Sequence, residues 1–322
     1  MAKNLVQNLS RAATLRQLEI LATVYRLGSI KAASEFLHLT QPTVSMQLKK
    51  LSESVGMSLY QMIGRKLTFT DSGREIAQSA TRIFGELGAL EMRLADLRGL
   101  KAGALRLSVV TTSKYFIPHM LGPFCERYPG IDIQLNVGNR RQIIERLEKG
   151  GDDFYVFSHP PEDVDTVSTE FLLNPLVAIA PASHPLARKR RISLAQLAQE
   201  PFLMREQGSG TRFAIEQFLQ KHRLKLNVKM TIESNEAIKH AVMSGLGISI
   251  LSAHTLTFGG NAGLVELRVE KLPITTSWHM VWPKSKSLSP IADRFLQYVH
   301  DEGRQLIESE FRRTGLVTKQ LR

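Results

Sequence analysis

The chain has 322 residues, 43% of them apolar, and carries 42 Lys and Arg against 30 Asp and Glu, a formal net charge of +12. That length holds two or three domains with sizeable cores and excludes wholesale disorder, while the charge favours an acidic partner, nucleic acid first among them, and leaves a soluble basic enzyme equally open. A single cysteine, Cys125, excludes an intrachain disulfide and a cysteine-based zinc site, and the histidines show neither an HxxxH nor an HExxH spacing, so no metal or cofactor is expected.

The first residues, "MAKNLVQNLSRAATLRQLEI", lack the apolar core of a secretory signal, and no run approaches ~18 consecutive apolar residues. A cytoplasmic protein with no membrane partner is expected. Through Thr70, nine basic residues stand against three acidic ones, Glu19, Glu35 and Glu53, which places a nucleic-acid module at the N-terminal end.

Ser29 is a good N-cap for a helix whose Ala32, Ala33, Phe36 and Leu37 share an apolar face. "HLT" is a tight connection, Thr40 caps the next helix, and Pro42 falls in its first turn, where a missing N–H costs little. Val44, Leu48, Leu51 and Val55 recur at spacings of 4, 3 and 4, a buried stripe. The other side carries Gln41, Pro42, Thr43, Met46, Lys49 and Lys50, with Ser45 on the flank. Lysines and short hydroxyls at a helix N-terminus suit a major-groove reader, and the pair of helices predicts a helix-turn-helix rather than a generic helical hairpin. "SLYQMI" and "KLTFT" around Gly64-Arg65 predict a hairpin wing, with Arg65 and Lys66 at its tip either on the DNA backbone or solvated.

Asp71 or Ser72 is positioned to cap a long helix, and Gly99 to stop it. Ile76, Ala80, Ile83, Leu87, Leu90, Leu94 and Leu97 alternate at 4 and 3 residues, a heptad seam suited to a second helix; the alternative is one helix lying on its own domain's core. From Ala104 on, strand-like runs ("ALRLSVVTT", "IDIQLNV", "DFYVFS", "LVAIAP", "VKMTIES", "GISILS", "TSWHMVW") alternate with helical ones, which predicts α/β layers with mostly parallel sheets in two lobes around a ligand cleft.

The stretch from Leu15 to Ala77 resembles the winged-helix signature of the LysR-type transcriptional regulators, with the alanine pair at Ala32-Ala33, "TQPTVS" at Thr40 to Ser45 and "LTFTDSG" at Leu67 to Gly73 in register. Tyr60-Gln61-Met62 departs from the family's usual Phe-Glu-Arg and lacks that arginine, whose place Arg65 or Lys66 would take. The resemblance implies a multi-domain fold. Its parts would be a winged helix-turn-helix over 11–70, a dimerising linker helix over 71–100, a two-lobed α/β effector-binding domain similar to periplasmic binding proteins over 104–310, and a tail at 311–322. Lobe I would comprise 104–178 plus 281–310, and lobe II 179–280. It further implies double-stranded DNA, a homodimer or homotetramer, a small effector and RNA polymerase as partners.

"SKYFIPHMLGPFCERYPGIDIQLNVGNR", "SHPPED" and "REQGSGTR" resemble the branch that regulates carbon-dioxide-fixation operons, which senses phosphorylated sugars, phosphoglycolate or NADPH. "GGDDFYVFSHPPED" departs from that branch at Phe154 and Tyr155, and either residue would alter effector preference if it entered the cleft.

Thr112, Ser113 and Lys114 end a predicted strand, where open α/β sheets hold ligands, although a plain strand-to-helix cap reads the same way. "REQGSGTRF" sets Ser209 and Thr211 before a helix, flanked by Arg205 and Arg212. Such a loop receives an anion or merely caps its helix, and it lacks the lysine of a nucleotide-hydrolysing loop. Asn139 and Arg140 stand at a ligand contact or a hinge, and Ser158 and Asn235 complete the candidates. A solute-binding module, a regulator of an unrelated operon and an enzyme are the competing functions. No paired-carboxylate, nucleophile-triad or metal motif supports the last.

Overall fold

The computed structural model describes residues 13–64, 66–97 and 102–313 and divides into two bodies, one built on residues up to Arg93 and one on residues from Leu94. In the first body α1 (Leu15–Leu27), α2 (Ile30–Phe36) and α3 (Gln41–Val55) are followed by a hairpin, β1 (Tyr60–Ile63) with β2 (Lys66–Phe69), and by α4 (Asp71–Leu97). Thr14, Ser29 and Thr40 each accept a backbone N–H as N-caps. Val44, Leu48 and Leu51 are buried against Leu21, Val24 and Ala33. Phe36 departs from the expected apolar face. It ends a seven-residue helix, stays exposed, and carries the Arg26 guanidinium 4.6 Å from its ring centre.

The cap of α4 is Thr70, not Asp71 or Ser72: its hydroxyl accepts the Gly73 N–H at 3.1 Å and donates to the Ser58 carbonyl at 2.7 Å. Gly73 is obligatory here, because a Cβ on it would stand 1.8 Å from the Leu59 carbonyl oxygen. This packs the start of α4 directly against the chain entering β1. Gly99, Arg65 and the tail from residue 314 lie outside the described residues.

The second body holds β3 (Ala102–Val110), α5 (Ile117–Arg127), β4 (Gly130–Gly138), α6 (Arg140–Lys149), β5 (Phe154–Phe157) and β6 (Thr166–Pro181). There follow α7 (Leu194–Gln199), β7 (Pro201–Arg205), α8 (Gly210–His222), β8 (Asn227–Ile232), α9 (Asn235–Met243), β9 (Ser249–Ser252) and α10 (Ala253–Gly259). The chain closes with β10 (Leu264–Glu266), β11 (Ile274–Pro283), α11 (Pro290–Tyr298) and α12 (Arg304–Arg313).

The mostly parallel sheet expected from the alternation is replaced by a mixed one. β3 pairs in parallel with β4 and β5, and β7 pairs in parallel with β8, but β6 and β11 form an antiparallel ribbon from Thr166↔Pro283 to Leu176↔Ile274. One end of the ribbon carries β5, and β9 and β10 attach at the other. Its register shifts between Trp278 and His279. The chain runs out along β6 and returns along β11, so these two long strands pair antiparallel.

Candidate functional site

Two surfaces collect the candidate residues. On α3, Gln41, Pro42, Met46, Lys49 and Lys50 are exposed, with Thr43 and Ser45 half-buried beside them. The Thr40 hydroxyl lies 2.8 Å from that of Thr43, which holds both at the start of the helix. Gln47, facing inward, accepts from Gln17 at 3.3 Å and fixes α3 on α1. The polar edge of α3 is therefore free while its apolar edge is locked. Lys66 lies in β2, and its side chain, like that of Leu97, is outside the described residues.

On α4 the heptad row divides. Ala80 is buried and Ile76 half-buried in the body's own core, which corrects their assignment to a dimer seam: the first turns of α4 close that core and are not available to a partner. Ile83, Leu87, Leu90 and Leu94 are exposed, by 39–49%.

In the second body a small cleft, partly open to solvent, is lined by Val110, Thr111, Thr112, Asn139, Arg140 and Ser158, and by Arg205, Ser209, Gly210, Thr211 and Trp278. It lies beyond the C-terminal ends of β3, β5 and β7 and against the N-termini of α6 and α8. Asn139 caps α6: its side chain accepts the Gln142 N–H at 3.0 Å, and its own N–H donates to the Gln142 side chain. Ser209 caps α8. A Cβ on Gly210 would stand 3.1 Å from the Ser158 hydroxyl, so glycine lets α8 begin this close to that wall.

Two arginines line the cleft, with opposite electrostatics. Arg205, 2% exposed, donates to both carboxylate oxygens of Glu206 at 2.8 and 3.0 Å and to the Asn235 side-chain oxygen. Its charge is neutralised in place. Arg140 is half-buried, donates to the His159 carbonyl at 3.0 Å, and lies 5.1 Å from the Phe213 ring centre, with no carboxylate in ion-pair range among the described residues. Burial pulls its pKa down, opposed by the more distant Asp163 and Glu162. An anion placed beside it regains the solvation that the guanidinium has lost.

The hydroxyls are oriented toward the same end. Thr112 Oγ1 accepts from Asn235 Nδ2 at 3.3 Å and Ser209 Oγ accepts from the Arg212 N–H, so each keeps its own proton to donate. Beside Ser158, His159 is held neutral, its pKa lowered to about 4 by burial first and then by Arg140.

The other candidates stand behind the wall. Ser113 is buried and donates to the Val110 carbonyl at 2.7 Å, and the Lys114 ammonium lies 5.2 Å from the Tyr115 ring centre. Arg212 bonds Glu216 and the Arg205 carbonyl. Asn235 reaches the cleft only through Thr112 and Arg205. Phe154 and Tyr155 do not enter: Phe154 packs on Trp282 and Phe295, and the Tyr155 hydroxyl is 3.3 Å from the Arg146 carbonyl. The departure at these positions is a core change, not a change in the ligand wall. Sequence reasoning missed Val110, Thr111 and Trp278. Trp278 sits at the register shift of the ribbon, inside a run that reads as ordinary core strand.

A winged helix-turn-helix followed in one chain by a donor-lined α/β cleft defines a ligand-responsive transcriptional regulator. Residues 15–74 match the bacterial regulatory helix-turn-helix protein of the lysR family, and residues 98–304 match the LysR substrate binding domain. The chain belongs to the LysR family and is a DNA-binding transcriptional regulator. It is 50% identical over 293 residues to the HTH-type transcriptional activator CmpR of Synechocystis sp., covering 90% of this chain and 96% of that protein. Identity to the RuBisCO operon transcriptional regulator of Acidithiobacillus ferrooxidans is 41% over 290 residues, 90% and 94% of the two chains. The regulatory domain of Synechocystis CcmR, solved in complex with 2-PG, is 45% identical with a TM-score of 0.59, covering 61% of this chain and 95% of that one. Full-length OxyR of Pseudomonas aeruginosa, 20% identical with a TM-score of 0.71 over 92% of this chain and 95% of that one, shares the fold. Among the described residues no helix is long and apolar enough to cross a membrane.

Proposed function

We propose that this chain is a cytoplasmic activator of carbon-fixation or related carbon-metabolism genes, switched by a small phosphorylated carboxylate of the 2-phosphoglycolate type held in the cleft. The observation that carries the reading is Arg140, a cleft cation with no carboxylate partner among the described residues, facing hydroxyls whose protons are free to donate. Support comes from the 2-PG in the CcmR domain, from the RuBisCO operon named for the Acidithiobacillus ferrooxidans relative, and from CmpR being named an activator. Bases are read by the exposed edge of α3, from Gln41 to Lys50, with Arg65 and Lys66 on the backbone. Ile83, Leu87, Leu90 and Leu94 pair with a second copy, and dimers assemble into tetramers that contact RNA polymerase. Lobes of the kind expected from the sequence close on the ligand, which acts through its differential affinity for two arrangements. The chain needs no catalytic group for this.

The test is a thermal-shift and calorimetric screen of the full chain against 2-phosphoglycolate, sugar phosphates and NADPH, joined to a footprint on DNA upstream of carbon-fixation genes. Saturable stabilisation by the phosphoglycolate, with a changed footprint, is expected. A flat response to all of these anions would refute the effector assignment.

A further inference from the structure

We infer that the effector-binding domain carries a second, sequence-independent contact for duplex DNA, on a basic face remote in sequence from the helix-turn-helix. Three runs, 188–191, 221–225 and 268–271, contribute five arginines and four lysines, all exposed, against the single carboxylate of Glu270. The runs are neighbours in space. Arg191 pairs with Glu270 at 2.6 Å, the Ile192 N–H donates to the Arg268 carbonyl at 3.0 Å, and Lys271 Nζ lies 3.4 Å from His222 Nδ1. The other eight cations form no ion pair among the described residues.

Local structure accounts for only part of this charge. Lys221 and Arg223 end α8, where cations are favoured by the helix dipole, and Arg223 takes the left-handed cap position. Lys271 likewise takes the left-handed conformation and Arg188 closes the short 3-10 helix Pro185–Arg188, but Lys189, Arg190 and Arg268 have no such role, and crowding these cations together costs self-repulsion.

The chemistry of the face selects the partner. None of the three runs exposes a large apolar side chain, so a protein partner would find no buried anchor and a lipid surface nothing to insert. No exposed aromatic ring is present to stack on unpaired bases, which disfavours single strands. Exposed arginines and lysines without base-reading neighbours are what a duplex phosphate backbone requires. DNA is also the partner this chain already has, and a duplex longer than the helix-turn-helix site offers the additional phosphates.

The experiment compares the full chain with the variant Arg188→Gln/Lys189→Gln/Arg190→Gln/Lys271→Gln, which spares the ion-paired Arg191 and the capping Arg223. Affinity is measured against salt on two duplexes, a short one limited to the recognition dyad and a long one carrying its flanks. On the long duplex the variant's log–log salt slope should be shallower by up to about four per protomer bound, about 0.9 for each phosphate no longer neutralised. On the short duplex the two proteins should agree, and an unchanged melting temperature would exclude misfolding. Equal slopes on the long duplex would overturn the proposal, as would a variant defective only in capturing an acidic protein partner. Failure of the DNA-binding assignment is a separate outcome: the unaltered chain would then show no specific binding to the short duplex.

Discussion

Asn235 Nδ2 donates to Thr112 Oγ1 at 3.3 Å, joining residues 123 positions apart across the cleft wall. The same side chain accepts from Arg205, so a single amide fixes both the Thr112 hydroxyl and the buried guanidinium. Replacing Asn235 by Ala leaves two buried donor–acceptor sites unmatched, at a cost of about 1–3 kcal/mol. Chemical denaturation should show that loss, and 2-phosphoglycolate titration should show affinity down at least fivefold. Full-strength binding in N235A would mean that Thr112 needs no orienting partner.

The two cleft arginines should answer oppositely to removal. Arg140→Gln relieves a desolvated cation, so stability should change little while anion affinity falls roughly 10- to 100-fold, the worth of a charged hydrogen bond. Arg205→Met strands Glu206, 8% exposed, without its partner and should destabilise by about 3–5 kcal/mol. Paired calorimetry and denaturation of the two variants separates these outcomes.

Acid sensitivity has an identifiable source. His254 is fully buried beside Phe116 and Phe311, and burial lowers its pKa to about 4, while the unfolded chain has the ordinary imidazole value near 6.5. The unfolded state therefore binds the proton first. Stability is complete above about pH 6.5 and falls as pH drops toward 4, by up to about 1.4 kcal/mol per pH unit, with His159 adding a similar contribution. Melting temperature followed from pH 7 to 5 should decline less steeply in His254→Phe than in the unaltered chain.

Leu87→Glu with Leu94→Glu places charges on the exposed half of the heptad row and should yield monomers in sedimentation. Ala80→Glu should instead unfold the N-terminal body, because that position is buried in its own core.

What was legible in the sequence was chiefly local. Ser29 and Thr40 announced their caps because hydroxyl capping depends on three neighbouring residues, and Val44, Leu48 and Leu51 announced a buried stripe by spacing alone. Thr112, Asn139, Arg140, Ser158, Arg205, Ser209 and Thr211 meet in one cleft, as strand ends and helix starts suggested. Pairings set by long-range topology were hidden. Adjacent residues on a strand ordinarily point apart, so nothing indicated that Glu206 would fold back and neutralise Arg205. The antiparallel β6–β11 ribbon, and with it Trp278 at the cleft, depends on strands about a hundred residues apart along the chain.

Gly73→Ala should cost at least about 3 kcal/mol, the upper part of the overpacking range, and abolish operator binding while leaving anion binding to the second body intact. With no room for one carbon between Gly73 and Leu59, the hairpin is clamped to the root of the long helix. The expected consequence is that a twist of the helix at its base swings the wing with it, so that rod and wing turn as one piece.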